Sequence, residues 1–126
     1  MQLEPRERGP ANAPARAPAS DDAAALEAVL RCGVCEAAVA DPKDRVERFG
    51  AHVHERVNPG GFTFVVGCFT KAAGVFEIGE ESDEFPWFPR HVWCCVACAS
   101  CGAHLGWRFS QGQDGFVGLI LDRLLG

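Results

Sequence analysis

Two Cys-x-x-Cys pairs, Cys32-Gly33-Val34-Cys35 and Cys98-Ala99-Ser100-Cys101, constrain this chain more than anything else in its sequence. Two residues between cysteines let both thiolates face one tetrahedral ion, and two such pairs complete a closed four-thiolate zinc site. The second pair has a rival. Cys95-Val96-Ala97-Cys98 has the same spacing, and His104 follows Cys101 at that spacing too. Gly102 favours the Cys98/Cys101 register, because a glycine after the second cysteine can take the positive φ that turns backbone N–H groups toward the sulfurs. Cys98 is followed by Ala99, and Cys95 sits inside a strand-like run. The expected ligands are therefore Cys32, Cys35, Cys98 and Cys101, holding one Zn²⁺. Four thiolates leave no open position for water or substrate, so that zinc would be structural. A redox Cys-x-x-Cys normally opens a helix in a βαβ setting, and no such setting is visible here.

The chain has 126 residues, enough for one domain. It carries 12 Lys+Arg against 17 Asp+Glu, a net charge of −5, which counts against a nucleic-acid binder. No apolar run approaches the ~18 residues of a membrane span. The N-terminus, beginning Met1-Gln2-Leu3-Glu4-Pro5-Arg6, has no continuous apolar stretch of the secretory kind, so a cytoplasmic protein is expected. There, seven cysteines argue for metal binding or catalysis over disulfides.

Pro5, Pro10, Pro14 and Pro18, with five alanines and no aromatic, fill the first twenty residues. Such a segment buries too little to offset ordering entropy, and residues 1–24 are read as a disordered Pro/Ala-rich tail. Asp21-Asp22 are expected to cap a short helix over Ala23–Arg31 at the start of the folded unit, 25–126. Beyond it the periodicity is two. Phe62, Phe64 and Val66 alternate along one run, Val92–Ala97 is β-rich, Leu105, Trp107 and Phe109 share a face, and Phe116–Leu121 forms a further apolar run. Turn signals separate them at Asn58–Gly61, Gly79–Asp83, Phe88–Arg90 and Gln111–Gly115. The pattern indicates a small all-β domain whose thin core needs a staple. Structural zinc, worth on the order of 10–16 kcal/mol in small peptides, would decide whether it folds. Cys68, Cys94 and Cys95 are read as small buried hydrophobes on strands. His52 and His54 are read as solvated strand residues and not a second metal site.

Trp87, Trp93 and Trp107 fall close together. Trp87 lies in Phe85-Pro86-Trp87-Phe88-Pro89, where each proline biases its predecessor toward extended backbone. Burial in the core would account for tryptophans on composition alone. Their placement suggests more: one in a Pro-stiffened loop, one on the following strand, and one just past the second cysteine pair.

Asn58-Pro59-Gly60-Gly61, Trp87-Phe88-Pro89 with Trp93, and Cys98-x-x-Cys101-x-x-His104-Leu105-Gly106-Trp107 together resemble the CULT domain, the thalidomide-binding domain of cereblon, which also occurs as single-domain bacterial proteins. Gly115–Ile120 resembles the family's terminal strand, and the likeness spans roughly residues 30–126. The resemblance implies a β-tent, two antiparallel sheets at a steep angle pinned by the structural zinc. It further implies that Trp87, Trp93 and Trp107 wall an aromatic cage for the glutarimide ring of thalidomide-type drugs. Uridine-like rings and the C-terminal cyclic imides of damaged proteins are the related ligands it suggests. Phe109 would close the base, Asn58 and Pro59 would lie at the rim, and backbone groups at Phe85 and Trp87 would pair with the imide edge. Phe85 stands where some members have histidine, so a side-chain hydrogen bond to the imide is lost there. Pro86 lacks an N–H but leaves both flanking carbonyls available. The domains with which cereblon docks a ubiquitin ligase have no room in this chain, so the expectation is an isolated binding module and not an enzyme.

Three other readings compete. The scaffold is also similar to methionine sulfoxide reductases of the B type, which would need Cys68, Cys94 or Cys95 as a reactive thiolate. The tryptophans could instead cage a methylated ammonium, assisted by Asp83-Glu84. Or they are only core, in a zinc-stapled interaction module.

Overall fold

The computed structural model describes residues 29–126, so the expected tail, and most of the expected helix, lie outside the described residues. At the one place where that helix can be checked it is corrected: β1 is a strand, Leu30–Cys32. Leu30 and Cys32 both face the core at 5% and 0% exposure, with Arg31 between them. That is a strand's period of two, and pairing on both sides of β1 overrides the local helical signal.

Eight further strands follow: β2 (Ala38–Ala40), β3 (Val53–Val57), β4 (Thr63–Phe69), β5 (Val75–Ser82), β6 (Val92–Cys98), β7 (His104–Gln111), β8 (Asp114–Ile120) and β9 (Leu124–Leu125). Short 3₁₀ turns at Pro42–Asp44 and Leu121–Arg123 are the helical elements among the described residues. None of these is long and apolar enough to cross a membrane. The strands form two antiparallel sheets, one in the order β9-β1-β2 and one in the order β3-β4-β8-β7-β6-β5. The all-β expectation holds.

Alternation along the six-stranded sheet splits its apolar residues between two cores. Phe69, Val96, Val117 and Leu119 pack with Leu30, Cys32 and Val39 of the small sheet. Val66, Cys68, Phe109, Phe116 and Ile120 form a second cluster with Phe88 and Trp107. The expected strand runs appear with shortened ends. Phe62 precedes β4 and is exposed, and Phe116–Ile120 lies in β8, with Leu121 opening the following 3₁₀ turn. Gly118 permits the second core: a Cβ there would come within 2.8 Å of the Phe109 ring.

Three local expectations are corrected. Gly79–Asp83 is not a turn, because β5 runs to Ser82, and the register irregularity between Ile78 and Ser82 is absorbed by Gly79 at φ +78°. Phe85 is not extended before Pro86 but left-handed, φ +50°. His54 is not solvated; it is 8% exposed, with Nε2 at 2.8 and 3.0 Å from the Arg48 and Ala51 carbonyls. Those two carbonyls supply what water would otherwise provide, and the side chain closes the Arg48–Ala51 turn.

Candidate functional site

The sulfurs of Cys32, Cys35, Cys98 and Cys101 all lie within 4.8 Å of one another. Cys32 and Cys101 are 3.8 Å apart and Cys35 and Cys98 3.6 Å. A tetrahedron of metal–sulfur bonds of about 2.3 Å has edges of about 3.8 Å, so the arrangement could hold a metal ion. The two cysteine loops repeat one geometry. The Val34 and Ser100 amides each donate to the first sulfur of their pair at 3.4 Å. Glu36 and Gly102 each donate to the first cysteine's carbonyl at 2.8 Å, and both have positive φ, +66° and +83°. Gly102 was legible as that turn. Glu36, a non-glycine in the same conformation, was not.

The thiols disfavour sharing several negative charges without a cation. Burial raises Cys98, but the Cys101 and Ser100 amides and the neighbouring thiols outweigh it and bring it down to about 7. The Ala103 amide lowers Cys101, yet burial and the thiols of Cys35, Cys32 and Cys98 push it up to about 12. His104 is not in the cluster; its Nε2 lies 2.9 Å from the Gly106 carbonyl, and its ring stands edge-on to Trp107 at 4.9 Å.

The second cysteine pair leads directly into β7, which delivers Trp107 and Phe109 to a cavity of about 440 Å³. All seven residues expected at the ligand site border it: Asn58 and Pro59 from the β3–β4 turn, Phe85 and Trp87 from the loop before β6, Trp93 from β6, and Trp107 and Phe109. Phe109 and Trp107 are 2% and 9% exposed, whereas Phe85 is 67% exposed. Three of the aromatic walls pack together: Trp87 meets Trp107 edge-to-face at 4.6 Å and lies tilted to Phe109 with ring centres 6.5 Å apart. The Trp87 Nε1–H donates to the Val57 carbonyl at 3.1 Å and that of Trp93 to the Glu84 carbonyl at 2.7 Å. Two indoles thus have their polar edges satisfied by backbone, which fixes how they stand.

Sequence reasoning missed several lining residues. Phe64 packs edge-on to Trp107 at 5.2 Å and also lies 5.9 Å from Trp87. Its alternation with Val66 gave the only signal. Ser82, Glu84, Cys95 and His104 also line the cavity, brought there by the end of β5 and by pairing of Cys95 with Trp107. Asn58 has a second task, since its Oδ1 accepts from the Phe62 amide at 2.9 Å and closes the Asn-Pro-Gly-Gly turn. Cys68 and Cys94 are buried as expected, and Cys95 is half-buried. Burial pushes Cys68 up to about 11 despite Arg48 and Arg56, and burial raises Cys94 and Cys95 as well.

No protein-family model matches the chain. It is similar to cereblon of Gallus gallus, 37% identical over 74 residues, which is 55% of this chain and 17% of that protein. Cereblon of Danio rerio is 37% identical over 54 residues, 43% of this chain and 12% of that protein. Cereblon of Drosophila virilis is 35% identical over 48 residues, 38% of this chain and 8% of that protein. The matched stretch is thus less than a fifth of each relative's length. These matches bear out the resemblance to the cereblon family first carried by the Asn-Pro turn, the three tryptophans and the second cysteine pair.

Proposed function

We propose that this chain is a zinc-stapled binding domain that recognises a cyclic imide in its tryptophan cavity and performs no catalysis. The observation that carries the reading is convergence: seven residues named from the sequence border one cavity of about 440 Å³, a volume within the roughly 300–1,000 Å³ of small-molecule sites. A glutarimide has an apolar methylene edge and a polar acceptor–donor–acceptor edge. Trp87, Trp93 and Trp107 would enclose the first over Phe109, with Asn58 and Pro59 at the rim. The Phe85 carbonyl would accept from the imide N–H, and the Trp87 amide would donate to an imide oxygen. An unpaired group on that edge would cost about 1–3 kcal/mol, which makes the imide selective. Uridine-like rings and a cyclic imide at a damaged protein C-terminus present the same edge.

Zinc suits the metal site because all four donors are thiolates at tetrahedral spacing, with no position left open. Its part is to hold β1, with its turn, beside the start of β7. The cysteines outside the cluster are pushed up by burial, which speaks against the thiolate a sulfoxide reductase needs. We place the chain in the reducing cytoplasm, where its seven cysteines would serve metal binding in preference to disulfides. The docking functions of full-length cereblon are not carried over.

One observation favours a second ligand class: Glu84 borders the same aromatic walls, as a methylated ammonium would require. Intrinsic fluorescence separates the two, since the chain has three tryptophans and no tyrosine. The imide reading expects a saturable change with thalidomide, none with its N-methylated imide, and none with trimethyl-lysine. A change with trimethyl-lysine alone would overturn it.

A further inference from the structure

Arg56 makes contacts that neither the metal site nor the cavity lining requires. It is half-buried on β3, facing the loop that carries Trp87. Its Nε donates to the Trp87 carbonyl at 3.4 Å and its Nη1 to the Glu55 carbonyl at 2.9 Å. Its Nη2 lies 3.4 Å from His54 Nδ1, and its Cζ stands 4.9 Å from the centre of the Phe88 ring. His54 is placed to accept: its Nε2 faces two carbonyls and must carry the proton, which leaves Nδ1 with a lone pair for Arg56. A planar guanidinium serves three acceptors and a ring face at once, which an ammonium cannot do.

We propose that Arg56 is a positioning residue for ligand recognition, clamping the Trp87 backbone to β3 so that the Trp87 amide and indole meet the ligand in a fixed orientation. The inference rests on the imide reading of the cavity. Trp87 is tied to β3 twice, by its indole to the Val57 carbonyl and by its own carbonyl to Arg56. Without Arg56 the indole keeps its bond to Val57, but the Trp87 carbonyl loses its partner, and the backbone between the left-handed Phe85 and the buried Phe88 loses the restraint that sets how the Trp87 amide and ring stand. The loop needs that restraint, because Phe85 holds a left-handed conformation that persists only where surrounding contacts over-determine it.

The test compares the zinc-loaded full chain with Arg56→Ala and Arg56→Lys, using thalidomide as the probe. A charge-assisted hydrogen bond lost beside the site weakens binding about tenfold in Arg56→Ala. Lysine restores the charge without the fork, and Arg56→Lys stays at least about threefold weaker than the wild type. Zinc stoichiometry stays at one. In ¹⁵N spectra without ligand, the Phe88 amide and the Trp87 indole shift in both variants, while the cysteine-loop amides and the Trp93 indole do not. A purely structural residue would instead move all of these together. Unchanged affinity in Arg56→Ala, or unmoved Trp87 and Phe88 resonances, overturns the proposal. If the wild type itself binds no thalidomide, the imide reading fails, and the ligand-free spectra still decide whether Arg56 holds the loop.

Discussion

Gly118→Ala should damage the fold and the cavity together. The added Cβ would lie 2.8 Å from Phe109 Cε2, closer than carbon atoms tolerate. The ring cannot retreat cheaply. It is 2% exposed, stacked on Phe116 at 5.2 Å, met edge-on by Phe88 at 4.8 Å, and flanked by Trp87 at 6.5 Å. Forcing one extra carbon into such packing costs about 1–3 kcal/mol. For a domain of this size that lowers the melting temperature by about 4–8 °C per kcal/mol. Phe109 also floors the cavity, and Gly118 pairs in register with Trp107, so the displaced ring pushes into the ligand space. Thermal melts of the zinc-loaded protein should therefore fall by at least about 4 °C. Thalidomide affinity measured well below the melt should fall with them. A wild-type melting temperature would refute the packing argument. A lowered melting temperature with unaltered affinity would refute the placement of Phe109 under the ligand.

Cys101→Ser should abolish stoichiometric zinc binding and leave the domain unfolded at room temperature, since structural zinc supplies on the order of 10–16 kcal/mol; circular dichroism with and without a chelator checks this. Phe85→Gly should stabilise the zinc-loaded, ligand-free protein by up to about 1 kcal/mol, because glycine takes a positive φ without the Cβ penalty; an unchanged or lower melting temperature contradicts it. His104 is held below its ordinary value by burial, with the Arg123 charge adding to that and the Gly106 carbonyl opposing it. The folded state then binds this proton later than the unfolded state, so its contribution is complete above the unfolded value near 6.5 and is lost as pH falls below it. Melting temperatures from pH 7.5 to 5 should drop further for the wild type than for His104→Asn, and parallel curves would contradict the assignment.

Much of the site was legible because its constraints are local. The spacing of the cysteines points to shared coordination, and Gly102 favours the one register whose four sulfurs the structure brings within 4.8 Å of one another. Period-two runs such as Leu105-x-Trp107-x-Phe109 announce their strand and its buried face together. What escaped depends on partners distant in sequence. Leu30 and Arg31 read as the end of a helix until the strands carrying Ala40 and Leu124 are known to flank them. β5 hides behind Gly79, since a glycine among acidic residues gives the same signal for a bulge as for a turn. His54 looks solvated because its acceptors are two main-chain carbonyls, which sequence never displays. Phe64, Cys95 and His104 join the cavity lining through sheet pairing and ring packing, not through any motif of their own.

The central claim is that the tryptophan cavity reads the donor on an imide edge. Calorimetric titration of the zinc-loaded chain with glutarimide and with N-methylglutarimide tests it most directly. The account predicts one-to-one binding of glutarimide and at least about tenfold weaker binding of the methylated ring, because its carbonyl partner is left buried and unpaired. Equal affinities for the two rings, or no heat from either in a protein holding one zinc, would contradict it.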